Sequence, residues 1–177
     1  MGNIGLIGSF IIGGIILLML LSLSAYLTNK SHSTVMNEIS QYSVTEFGNV
    51  IEYDFKKMGY RVGVGNGILN TDSSSISFLA DLDNDGTVDS VSYYTEQNDN
   101  GIKIVRETSL DQAAPFRMIA SDLTILGYDS TGSVTTNLAL IKSFQVTILI
   151  DEALQFKDET EQFGAYWRRR FVPKNIQ

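Results

Sequence analysis

The sequence contains no cysteine, one histidine (His32) and only two prolines among 177 residues. Without cysteine there is neither a disulfide framework nor a thiolate metal or redox site. With one histidine, a multi-His metal centre is excluded, and a His-containing triad would need His32 itself. Basic residues are the minority, 13 Lys and Arg against 20 Asp and Glu, for a net charge of −7. A pI near 4.6 argues against a general nucleic-acid binder, which needs a basic surface to release counterions. The sharpest absence is local: no charged side chain stands between Met1 and Asn29, so every charge lies in the rest of the chain. A length of this size gives one domain, two at most. The composition narrows the chain to a membrane-attached, ordered, non-enzymatic protein.

What fills the uncharged segment is Ile, Leu, Met and Phe from Ile4 to Leu27, broken only by Gly, Ser, Ala and Tyr26. As a helix it would span about 36 Å, enough for a hydrocarbon core of about 30 Å. The rival reading is a cleaved secretory signal, with Ser22 and Ser24 imitating a small-residue cleavage site. Its apolar core should run about 7–15 residues behind a positive segment, whereas here the run is longer and no Lys or Arg precedes it. Gly5, Ser9 and Gly13 recur at a spacing of four, a helix face on which small residues let two backbones approach. Glycine is also simply frequent in membrane helices. The first charge is Lys30, so the positive-inside rule has almost nothing to count.

The helix is expected to continue past the apolar run. Between Val35 and Met58 there is no Pro and a single glycine, Gly48. Val35, Ile39, Tyr42, Phe47, Ile51, Phe55 and Met58 fit one stripe of an amphipathic helix. Glu52 and Lys56 form an i,i+4 pair, and Gly59, Gly63, Gly65 and Gly67 give the stop. The pattern predicts one helix about 55 residues long, with two separate helices or a kink near Ser31–Ser33 as the alternative.

Beyond it, alternating runs predict strands: Ile76–Ala80, Val88–Tyr94, Ile102–Arg106, Leu123–Ile125, Phe144–Ile150 and Ala165–Val172. Asp85-Gly86, Asn100-Gly101 and Asp129–Gly132 supply turns. Short consecutive strands of this kind predict an antiparallel meander with one packed face, and the Val35–Met58 stripe is its partner. There is no internal repeat and no low-complexity tract. The fold class is α+β, a long N-terminal helix packed on an antiparallel β-sheet, divided as 1–29 (apolar helix), 30–62 (amphipathic helix) and 63–177 (sheet domain).

The most chemically specific stretch is Asp81-Leu-Asp83-Asn-Asp85-Gly86-Thr87-Val-Asp89. Oxygens at positions 1, 3, 5 and 9, Gly at 6 and a backbone carbonyl at 7 match the start of a calcium loop. Ser92 stands where a bidentate Glu belongs, and the flanks read as strands, so this is not an EF-hand. If it holds calcium, the ligands are Asp81, Asp83, Asp85 and Asp89 with the carbonyl of Thr87. The competing reading is a solvated acidic hairpin with an Asp-Gly turn. These carboxylates crowd one turn rather than flank a substrate as a glycosidase pair does, so no catalysis is expected. On the last strand Arg168 and Arg170 share one face, and Arg169, Trp167 and Phe171 the other. The basic pair reads either as a contact for an acidic neighbouring subunit or as charge protecting an edge strand.

A long apolar helix continuing as an amphipathic one, then a meander, resembles the type IV pilin-like proteins. Ile76-Ser-Phe, Asp81-Leu-Asp-Asn-Asp-Gly and Val91-Ser-Tyr-Tyr resemble a hairpin theme of larger minor pilins and of type II secretion minor pseudopilins. Ile119-Ala-Ser-Asp-Leu-Thr-Ile-Leu-Gly-Tyr-Asp-Ser-Thr-Gly resembles their next strand and loop, and Phe171-Val-Pro-Lys-Asn-Ile their closing strand. Two family features do not stand in this sequence: a basic leader ending in Gly, and a Glu at the fifth mature position. Cleavage after Gly2 would make Ile7 the fifth residue, and the first Glu is Glu38. The resemblance implies a structural subunit of an extracytoplasmic pilus or pseudopilus, anchored in the membrane through 4–27. Its partners would be copies of itself or other pilin-like subunits, and no nucleic acid. The alternative is a membrane-anchored accessory or binding module that does not polymerise.

Overall fold

A computed structural model describes residues 3–63, 65, 67–98, 101–111, 114–156 and 159–176, with side chains throughout except at 4, 98 and 152–163. Helix α1 runs unbroken over Asn3–Lys57; the helix is single, with no interruption at Ser31–Ser33. Eight strands follow: β1 (Ile68–Thr71), β2 (Ile76–Ala80), β3 (Asp89–Asn98), β4 (Gly101–Thr108), β5 (Phe116–Ala120), β6 (Asp122–Tyr128), β7 (Ser143–Phe156) and β8 (Glu159–Phe171). The class is α+β, as the pattern predicts.

In place of one meander there are two. The strands form a five-stranded sheet in the order β1-β2-β3-β4-β5 and a three-stranded sheet in the order β6-β7-β8, all paired antiparallel. The chain changes sheets at Ser121. Its N–H donates to Leu149 O at 2.8 Å, and its hydroxyl donates to Asp151 O at 2.9 Å while accepting Asp151 N–H at 2.8 Å. A second tie runs from Ile125 N–H to Ser73 O, at 2.7 Å, in the β1–β2 turn.

The alternating runs bury the faces expected of them. Ile76, Phe78 and Ala80 are buried, as are Val91 and Tyr93, Leu123 and Ile125, and Phe144, Val146, Ile148 and Ile150. They join α1 in one cluster spanning both sheets. Phe55 stands at the junction, with ring centroids 5.5 Å from Phe78 and 6.0 Å from Tyr93 on one sheet, and 5.8 Å from Phe144 and 5.1 Å from Phe171 on the other.

The helix stripe needs correcting in its first half. Phe47, Ile51, Phe55 and Met58 are buried, joined by Val44, but Val35, Ile39 and Tyr42 are exposed at 47%, 54% and 68%. The five-residue step from Tyr42 to Phe47 turns the face by about 140°, so the two runs lie on different sides of the helix. The buried line continues upstream through Ser40 and Ser33, where α1 lies along β8. There the Asn37 side chain accepts Gly164 N–H and Gln41 donates to Gly164 O, both at 3.2 Å, satisfying backbone groups of an edge strand. Gly48 is the single glycine of the helix's second half because Trp167 lies over it. A Cβ there would come within 2.6 Å of the indole. The helix ends at Lys57, and Gly59 just beyond it takes the left-handed φ of 77°, its N–H donating to Leu79 O at 2.9 Å. Asn175 and the buried Ile176 close over the same end.

Candidate functional site

Two features are candidates for function. The first is the N-terminal half of α1. Leu6, Phe10, Ile11, Ile12, Leu17, Leu18, Leu20 and Leu21 are all exposed, and the segment is long and apolar enough to cross a membrane. A signal sequence meets the same description. Ser9 and Thr28 donate to the carbonyls four residues back, Gly5 O and Ser24 O, at 2.9 Å each, so these hydroxyls need no water. A Cβ on Gly5, Gly8, Gly13 or Gly14 would meet nothing within 4 Å. The fold of this chain therefore gives no packing reason for four glycines that each cost a helix up to about 1 kcal/mol relative to Ala. Gly2, after which cleavage would make Ile7 the fifth residue, lies outside the described residues.

The second is the β2–β3 loop at the far end of α1. Asp81, Asp83 and Asp89 each offer a carboxylate oxygen, and these lie within 4.8 Å of one another; the group could hold a metal ion. Asp81 and Asp89 are buried and Asp83 is exposed. Asp85, expected among the ligands, does not belong to this close group; its carboxylate accepts Thr87 N–H at 2.6 Å, and Asp83 accepts Asp85 N–H at 3.1 Å. Asp89 is held from both sides, accepting Leu82 N–H at 3.1 Å and the Ser109 hydroxyl at 2.9 Å.

Two cations reach this loop from the end of α1. The Lys57 ammonium donates to Leu82 O at 2.5 Å, Asn84 Oδ1 at 3.0 Å and Asp81 O at 3.3 Å. Arg61 Nη1 donates to Asp81 Oδ2 at 2.8 Å, and Gly86 N–H to the same oxygen at 3.1 Å. Burial opposes ionisation of Asp81, but Arg61 and the backbone N–H groups of Gly86 and Asn84 outweigh it and hold its pKa below the usual value. Tyr53 adds a hydroxyl donor to Leu82 O at 2.8 Å. Composition and spacing show the carboxylates but not these partners, which come from another element and converge only in the fold.

A separate polar cluster lies inside the core. Asp54 is fully buried and accepts the Tyr93 hydroxyl at 2.5 Å and Arg106 Nε and Nη2 at 2.6 and 3.1 Å. Burial and the Asp54 charge push the Tyr93 pKa well up. The Arg106 pKa is raised against the effect of its own burial by the Asp54 contact. On β8, Arg169 faces the helix and pairs with Glu52. Arg168 lies over the Tyr166 ring at 5.3 Å, and Arg170 over Tyr128 at 4.3 Å with two bonds to Ser143 Oγ.

These features define a class: an α+β protein whose sheet domain is built on the second half of a helix able to span a membrane with its first. No protein family, no curated protein and no solved structure matches the chain.

Proposed function

We propose that the chain is a membrane-anchored structural subunit of an extracytoplasmic filament of the type IV pilin or pseudopilin kind, assembling with copies of itself or related subunits. The observation that carries this reading is the continuity of α1. One helix is apolar and bare over its first half and forms the spine of the sheet domain over its second. Outside lipid, such an apolar surface far exceeds the few hundred Å² that a soluble monomer tolerates, so it belongs in a bilayer or among other apolar helices. Gly5, Ser9 and Gly13 are the close-packing face in this reading. Arg168 and Arg170, on the outward face of β8, meet an acidic surface of a neighbouring subunit. The carboxylates and carbonyls of the β2–β3 loop are hard donors, which suit calcium over zinc or copper. No step of the proposal is catalytic.

The test is electron microscopy of sheared surface material from cells making the chain, with an antibody against the sheet domain. Labelled filaments are expected. Label confined to membranes would overturn the filament and leave the non-polymerising anchored module. A full-length chain that stays monomeric without detergent would overturn both.

A further inference from the structure

The oxygen that most requires a partner is Asp81 Oδ1. Asp81 is fully buried, and while its Oδ2 takes both Arg61 and Gly86 N–H, Oδ1 has no hydrogen-bond partner among the described residues. Arg61 and the Gly86 and Asn84 N–H groups serve the carboxylate as a whole, but no donor among the described residues stands in hydrogen-bond geometry with Oδ1 itself, and a buried ionised oxygen left so calls for a partner from outside the chain. Asp83 and Asp89 bring carboxylate oxygens within 4.8 Å of it or its twin. Oxygens bound to one calcium at about 2.3–2.6 Å lie at most about 5 Å apart, so the three carboxylates are close enough for small side-chain shifts to bring them onto one ion.

The loop is also partly neutralised from within, and its two cations do so differently. Lys57 binds the Asp81 and Leu82 carbonyls and the Asn84 side chain, which positions the loop without touching the carboxylate group. Arg61 binds the Asp81 carboxylate itself. Its backbone sits at φ 59°, a conformation that non-glycine residues rarely adopt, directly after the helix stop.

We infer that Asp81, Asp83 and Asp89 form a divalent-cation site, calcium being the ion that fits, in which the Arg61 guanidinium is a built-in competitor for the Asp81 carboxylate. This rests on the reading of the loop as cation-holding given above, and it adds an antagonist and a ligand set that leaves out Asp85. Removing Arg61 takes a positive charge from beside the ion and returns Oδ2 to the site, so affinity rises. Occupation by the ion, in turn, loosens Arg61.

The experiment is calorimetric titration of the chelator-treated full chain in detergent micelles with calcium chloride. One ion per chain is expected, bound about tenfold more tightly by Arg61→Gln, about 1.4 kcal/mol. Asp81→Asn should lose binding at least tenfold, and Asp85→Asn should stay within twofold of the parent chain. Phenylglyoxal modification of Arg61 in the unaltered chain, read by peptide mass spectrometry, needs no variant to fold; calcium should speed it at least threefold. If neither the parent chain nor Arg61→Gln binds millimolar calcium, the cation reading falls and this inference with it. If the parent binds but Arg61→Gln binds no better, or calcium leaves Arg61 modification unchanged, the competition is wrong and the cation reading stands. An equal loss in Asp85→Asn overturns the three-carboxylate set.

Discussion

At the scale of single residues, Phe55 joins the two sheets. It touches Phe78 and Tyr93 on one side and Phe144 and Phe171 on the other, and it is 1% exposed. Phe55→Ala would leave a cavity bordered by both sheets, which cannot both collapse into it. A loss of about 3–5 kcal/mol is expected, measured by chemical denaturation of the full chain in detergent. A loss under about 1 kcal/mol would mean that the core repacks around the gap. Phe55 was legible from its place in the apolar stripe. Its neighbour Asp54 was not. An Asp inside a helix reads as a solvated position, and the partners that make its burial tolerable, Tyr93 and Arg106, lie 39 and 52 residues away. The same holds for Asp81: the sequence shows a string of carboxylates but gives no sign of the arginine that holds one of them.

At the scale of elements, the glycines of α1 fall into two kinds, and substitution should separate them. Gly48 is required by this chain's own packing. Gly48→Ala drives a methyl into the Trp167 ring and should cost about 1–3 kcal/mol of stability while leaving oligomer formation intact once folded. Gly13 has open space around it. Gly13→Leu should leave the fold and membrane insertion unchanged but weaken oligomers, because the larger side chain holds two helix backbones apart. Crosslinking in micelles reads the difference, and unchanged oligomers would make the small-residue face incidental. The helix itself was legible because nothing in its sequence stops it before Gly59. Its buried face was legible only from Phe47 on, where apolar steps of three and four are unbroken. β1 and β5 carry little sequence signal, because Ile68–Thr71 is too short to alternate and Phe116–Ala120 buries only Met118 and Ala120. The outer parts of β7 and β8 carry Asp, Glu and Gln where a half-buried strand would alternate, so pairing in register with each other is what makes them strands.

For the whole molecule, acid is a condition that should loosen it. Glu52 is held below its ordinary pKa by Lys56 foremost, against burial, with Arg169 adding to it. Asp129 is lowered by the Thr131 hydroxyl and the Ser133 N–H, and Asp81 by Arg61 and Gly86 against burial. In each case the folded-state pKa lies below the unfolded one, so the folded chain binds fewer protons. The stability these groups supply is complete above the unfolded values, 4.5 for Glu52 and 3.8 for the two Asp residues, and is lost as pH falls through the folded ones. The melting temperature should therefore be level near neutrality and drop below about pH 4.5. A melting temperature that rises on acidification would contradict these assignments.

The unbroken run of α1 from Asn3 to Lys57 leaves no hinge between the apolar half and the sheets. With the first half seated in a bilayer, the second is a lever arm of about 45 Å from Leu27 to its end. Membrane helices tilt by about 20° on average, and such a tilt would carry the far end of this arm sideways by about 15 Å. Rotation of the anchor about its own axis would turn the sheet domain with it through the same angle. The lipid that seats the helix thus becomes a steering device: a thinner or thicker bilayer re-aims the outward face of β8 without any contact in the domain being remade.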